Sequence, residues 1–502
     1  MSKEALRRAI EANDVAAAET ALREHPELLN PPNGQPAAVM ARTVDMAKRI
    51  LEWGGDVAVA GRWWGPGIWL RQVDGEVAKF LVERGAPLTV HAAAGLGLTE
   101  ELVKLLDGEP SLIDAKGCDG CTPLHFARDC ATAELLLARG ARVDARDEDH
   151  NSTPAQWLSG EAPEISRLLV SRGATPDIFL ATALGDLELV KKLVKLNPAC
   201  VSYRIGKAPE FPPLGHPRGG TIYQWTLGFN SYPHQVALKK GHTALFDYLF
   251  DNSDTVTRFL VCCLLARRAE AEAIAANNPG LVASLSSSDL ELPARYCWET
   301  NLNYEAVELM LDLGFPVAHP ETSHGYTPLH NAAWAGAGDL VELLLARGHP
   351  VDIVDPGYNS TPLGYAVHDC LVEKRHPEGE FARVIRALID AGSPWNALWY
   401  PTGQADVDEV LKPRLVSKVE GAALLGEEAT VFRLLGQPPA SDKLVAALAG
   451  AAKGGHATLC RRLLEAGAAV SGTFGGEERT PLFYALKSGS PETVAVLREF
   501  GA

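Results

Sequence analysis

The sequence contains no run of about 18 apolar residues, so no membrane-spanning helix is expected. It has no excess of positive charge either: 47 Lys plus Arg stand against 63 Asp plus Glu, a formal charge of −16. A nucleic-acid or anionic-membrane binder needs a broad basic surface, and this balance argues against both. Cysteine is scarce and odd in number, with nine mostly scattered residues. That does not make a disulfide framework and points to a reducing cytoplasm. The start, Met1-Ser2-Lys3-Glu4-Ala5-Leu6, lacks the apolar core of a secretion signal. Also missing are a Walker-type phosphate loop, a dinucleotide glycine fingerprint, His-Glu-x-x-His and Gly-x-Ser-x-Gly, so no cofactor is expected. Hydrophobic residues at 46% with charged residues at 22% mark a folded chain.

What is present is a repeated phrase. Thr122-Pro123-Leu124-His125 recurs as Thr327-Pro328-Leu329-His330, with weaker copies beginning at Thr153, Thr361 and Thr480. Each opens a helix well, because threonine caps and proline at the first helical position gives up no needed N–H. A Leu-rich helix follows, then an exit glycine: Gly85, Gly140, Gly173, Gly314, Gly348, Gly392, Gly467 or Gly501. Gly140 to Gly173 is 33 residues, and Gly314 to Gly348 is 34. A helix pair this short cannot bury its own apolar face, so neighbouring pairs have to stack. The period and the Thr-Pro-Leu-His phrase resemble the ankyrin repeat family over most of the chain. The resemblance implies an all-α solenoid of stacked helix pairs with β-hairpin or loop tips, curved around a concave groove.

Three parts are expected: degenerate helical repeats over 1–88, a first array over 89–285, and a second array with its cap over 286–502. Irregular stretches interrupt them at Trp63–Trp69, at 201–233 and at Cys370–Glu380. The aromatics of 201–233 (Phe211, Tyr223, Trp225, Tyr232) favour an ordered loop lying on the array. The two arrays echo one another. Thr122 maps to Thr327 at an offset of 205, and Thr153 to Thr361 at 208. Asn151-Ser152 matches Asn359-Ser360, a pair outside the ankyrin signature.

Candidate functional residues emerge once those the repeat needs are set aside. His91, His125 and His330 occupy the family's histidine column and are read as structural. Cys118 and Cys121 have the spacing of a zinc half-site, but no second pair accompanies them and Asp119-Gly120 makes an ordinary turn, so no metal is assigned. Positions facing the groove and the tips above it then hold an unusual set. Asp129, Asp149, Glu161, His368 and Asp369 are the candidate acid–base residues. His150, Trp157, Trp225, Trp334, Tyr358 and Tyr365 are the candidate ligand contacts, since rings stack on flat ligands or on a partner's apolar side chains. His368 and Asp369, adjacent on a helix, point about 100° apart and form no mutual dyad. Two readings stand. In one, an acid- and aromatic-lined groove holds a partner protein or ligand. In the other, the groove houses a hydrolase or lyase type of enzyme acting on carbohydrate.

Overall fold

In the computed structural model the described residues are 3–31, 37–57, 75–212, 220–321, 324–373, 375–376, 378–475 and 479–502. Trp63–Trp69, Pro213, Pro217 and Gly219 lie outside them. The chain divides into two compact units, Met1–Val261 and Cys262–Ala502.

Both units are built from helix pairs. In the first, Val90–Leu96 precedes Thr99–Gly108, Pro154–Leu158 precedes Pro163–Ser171, and Ile178–Ala183 precedes Leu187–Leu196. In the second, Pro328–Trp334 precedes Gly338–Ala346, Pro362–His368 precedes Phe381–Asp390, and Pro481–Ser488 precedes Pro491–Glu499. Thr122, Thr153, Thr327, Thr361 and Thr480 each cap a helical segment with proline in its first turn. The second helix of a pair buries one stripe, as Leu340, Val341, Leu343 and Leu344 do. Each such side chain contributes roughly 1.5–3 kcal/mol.

All eight exit glycines have positive φ, between 80° and 98° across Gly348 and Gly85 and up to 100° at Gly173. At Gly140, φ is +95° and a Cβ would meet nothing within 4 Å. Gly140→Ala should therefore cost only left-handed backbone strain, about 1–2 kcal/mol, read as a lowered urea midpoint. An unchanged midpoint would show that the turn does not need this conformation. Small residues serve contact of another kind. A Cβ on Gly450 would lie 2.1 Å from the Glu420 carbonyl oxygen, so Ser441–Lys453 reaches its neighbour backbone to backbone.

The tips are of the loop kind. Among the described residues there is no strand, and one isolated bridge joins Lys207 to Phe211. No described helix is long and apolar enough to cross a membrane. One repeat departs from the expected form. Thr122 to Gly140 spans three residues fewer than Thr327 to Gly348, and its first helix shrinks to the 3-10 turn Pro123–Phe126. Asp129 consequently becomes the N-cap of Cys130–Ala138, accepting from Thr132 N at 2.8 Å.

Candidate functional site

The histidine column ties each tip to the helix before it. Thr122 N–H donates to His125 Nδ1 at 3.0 Å, which leaves the proton on Nε2 for the Ser152 carbonyl at 3.1 Å. His330 Nε2 stands 3.1 Å from the Ser360 carbonyl in the same way. His91 Nε2 lies 2.8 Å from the Ala115 carbonyl.

The matched Asn-Ser pairs sit in these tips. Asp147 accepts from His150 N at 2.8 Å and Ser152 N at 2.5 Å. Asp355, at the equivalent position, accepts from Gly357 N, Tyr358 N and Ser360 N at 2.9, 2.7 and 3.0 Å. Asn151 and Asn359 adopt φ of 48° and 50°, a left-handed conformation asparagine tolerates. The serine that follows presents its carbonyl to the histidine. Burial opposes charge on Asp355, but three backbone N–H groups outweigh it and hold its carboxyl below the ordinary range. At Asp147 burial is likewise overcome, by the His150 ring and the Ser152 and His150 amides.

Built on one frame, the two tips carry different contents. In the first unit His150 is buried and meets Trp157 edge to face at 5.1 Å. Its Nδ1 lies 2.8 Å from Asp147. Burial resists its charge, but Asp147, with Asp149 and Asp119, raises its pKa above the usual value. Gln156 caps its helix and reaches Asp177 at 2.7 Å. A segment of the 201–233 loop then lies on this tip. Gly220 N–H donates to the Asp149 carbonyl at 3.3 Å and Ile222 N–H to Ser152 Oγ at 3.1 Å. Tyr223, fully buried, donates its hydroxyl to Asp177 at 2.9 Å. Trp225 remains 70% exposed. Asp149 and Glu161 are exposed, with the Asp149 carboxylate 3.8 Å from His150 Nε2.

In the second unit Tyr358 stands where His150 does, Tyr365 where Trp157 does, and Gly364 where Gln156 does. The outcome is a cavity of about 540 Å³. Tyr365, 8% exposed, is its central ring, approached edge-on by Tyr326 at 5.5 Å, Trp334 at 5.9 Å and Tyr358 at 6.4 Å. His368 stacks on Trp334 at 6.1 Å and 21°. Arg375 lies over the same indole at 5.8 Å. Glu373 lies between these two side chains, 3.2 Å from Arg375 Nε and 3.7 Å from His368 Nε2. Trp298, Ser360 and Gly364 complete the lining. Trp334 Nε1 is buried without an acceptor, whereas the Tyr365 hydroxyl interacts with Tyr326 and Asp355.

The structure thus gathers Trp334, Tyr358, Tyr365 and His368 in one place. Asp369 is fully buried instead, accepting from Arg375 N, His376 N and His376 Nδ1. It organises the 370–380 insertion that supplies Glu373 and Arg375. Trp298, Glu373 and Arg375 escaped the sequence reading because they lie outside the repeat columns. The length of the insertion was the one signal for Glu373 and Arg375, and Trp298 had none. No group of three or more potential metal ligands occurs among the described residues.

No curated protein matches this chain. The family model described as ankyrin repeat matches residues 119–148, and that described as ankyrin repeats (many copies) matches 310–366. These stretches hold both full Thr-Pro-Leu-His phrases, the left-handed glycines 140 and 348 and the Asp355 tip. These two stretches are ankyrin repeats, and such repeats indicate a protein-interaction module.

Proposed function

We propose that this chain is a cytoplasmic binding protein that holds a partner protein through the aromatic pocket of its second unit. The observation that carries the reading is the cavity itself, with Tyr326, Trp334 and Tyr358 set edge-on around Tyr365 at a single tip. Aromatic rings gathered in a pocket are the usual anchors of protein interfaces. Tyr358, 75% exposed at the rim, adds an apolar face of the kind that dominates protein interfaces.

Random displayed peptides selected on the full chain, with a glycan array in parallel, test this. Selected peptides should lose about 30-fold or more in affinity on Trp334→Ala, as expected of a hot spot of 2 kcal/mol or more. Tyr358→Ala should weaken them while leaving the melting temperature unchanged, because the ring is mostly in solvent. Peptides indifferent to both changes, or a glycan as the sole ligand found, would remove this reading.

A further inference from the structure

We infer that the second unit's tip takes a turn-forming peptide segment of the partner in the manner in which the first unit's tip takes residues 220–223 of its own chain, which lead into the helical turn Gln224–Gly228. The inference rests on the protein-binding reading above and specifies how the partner is held.

At an offset of 208 the tips correspond residue for residue: Asp147 with Asp355, Asn151 with Asn359, Ser152 with Ser360, Thr153 with Thr361. Their hydrogen bonds correspond as well. Asp147 N–H donates to the Ser152 carbonyl and Asp355 N–H to the Ser360 carbonyl, both at 3.1 Å. In the first unit the serine hydroxyl donates to the His150 carbonyl at 3.0 Å and accepts the Ile222 amide at 3.1 Å. The hydroxyl is therefore the point where a crossing segment of chain is fixed by its backbone, independent of that segment's side chain. In the second unit Ser360 lines the cavity, and among the described residues no backbone amide donates to its hydroxyl.

The floor of the cavity has the same origin. Gln156 fills the first unit's equivalent position by bonding to Thr153 and Asp177. Gly364 has no side chain to do the same, and Ser360 Oγ lies 2.2 Å from where its Cβ would be, at the edge of the cavity. An incoming segment therefore lays one amide on Ser360 Oγ and drops an apolar side chain toward Tyr365. The likeness ends at the far side. Gly160, beneath Thr226, is replaced by His368, so the segment runs on against the His368–Trp334 stack instead of turning down as Tyr223 does.

The probe is a synthetic nonapeptide with the sequence of residues 220–228, capped at both ends and titrated into the full chain by saturation-transfer NMR and calorimetry. The first unit's tip is already occupied by its tethered segment at high effective concentration, so the peptide reports the second. Binding to the wild type is expected. Ser360→Ala should weaken it about fivefold, the worth of one hydrogen bond. Gly364→Gln should weaken it more than tenfold. Gly364 has no positive φ, and a glutamine there completes the capping box that Thr153 and Gln156 form, so the melting temperature should hold. A Cβ there would come 2.2 Å from Ser360 Oγ, turning the hydroxyl away from its acceptor position. No binding to the wild type, or equal binding to all three proteins, would overturn the inference. Displayed peptides that require Trp334 yet ignore both Ser360→Ala and Gly364→Gln would retain the protein-binding reading and remove this one.

Discussion

Acidification from pH 7 to pH 5 is expected to withdraw about 4 kcal/mol of stability through two buried histidines of the first unit, roughly 2 kcal/mol for each. Burial pushes His125 down to about 4, against the opposing pull of the Ser152 carbonyl, and His234 down to about 4 against that of Leu249. Each ring folds neutral, whereas the unfolded chain takes up a proton near pH 6.5. The unfolded state therefore binds more protons between about pH 6.5 and 4, and stability falls as pH falls through that window. His91, also lowered by burial, acts with the same sign. His150 acts oppositely. Its pKa is raised, so its contribution is fully present below about pH 6.5 and is lost as pH rises through its folded value. Asp147, lowered, gives up its contribution only under more acid conditions. Urea unfolding at the two pH values measures the sum. His125→Gln, which installs the residue found at Gln156 of the next repeat, should remove about half of the dependence. A variant with the same pH dependence as the wild type would show that His125 does not fold neutral.

Asp177→Ala should cost about 3–5 kcal/mol, by the loss of a buried acceptor that leaves its donors stranded. The carboxylate accepts from Phe179 N at 2.8 Å, Leu180 N at 2.9 Å, Gln156 Nε2 at 2.7 Å and Tyr223 Oη at 2.9 Å. Burial raises its pKa, and those four donors only partly offset this. The melting temperature should drop by about 10 °C or more for a unit of this size. The amides of Ile222 and Tyr223 should lose hydrogen-exchange protection before the helices do, because Tyr223 is anchored through this group. If exchange rises uniformly across the unit, Asp177 serves as a helix cap alone and does not hold the segment on the tip.

Much of the site's frame is legible in the residues themselves. The tip asparagines, Asn151 and Asn359, could be found by matching the two arrays, because a left-handed residue and a serine carbonyl placed under a histidine are local demands repeated wherever the tip is repeated. Column counting failed at Asp129. Three residues are missing between Thr122 and Gly140, so a position expected to face the groove became a cap. Asp369 was misplaced for a related reason. It is consumed by the insertion that follows it, an interaction seven residues long that no helical period encodes.

The amino-acid order by itself determined the elements: threonine–proline starts, left-handed glycine stops, and the need of thin helix pairs to stack, all of which depend on residues a few positions apart. Only the folded molecule decided which tip is covered and which is open. That choice turns on contacts across about 70 residues, such as Ile222 on Ser152, and on the single exchange of Gln156 for Gly364. Neither leaves a pattern in the chain, because both depend on what the backbone brings near and not on what stands next in line.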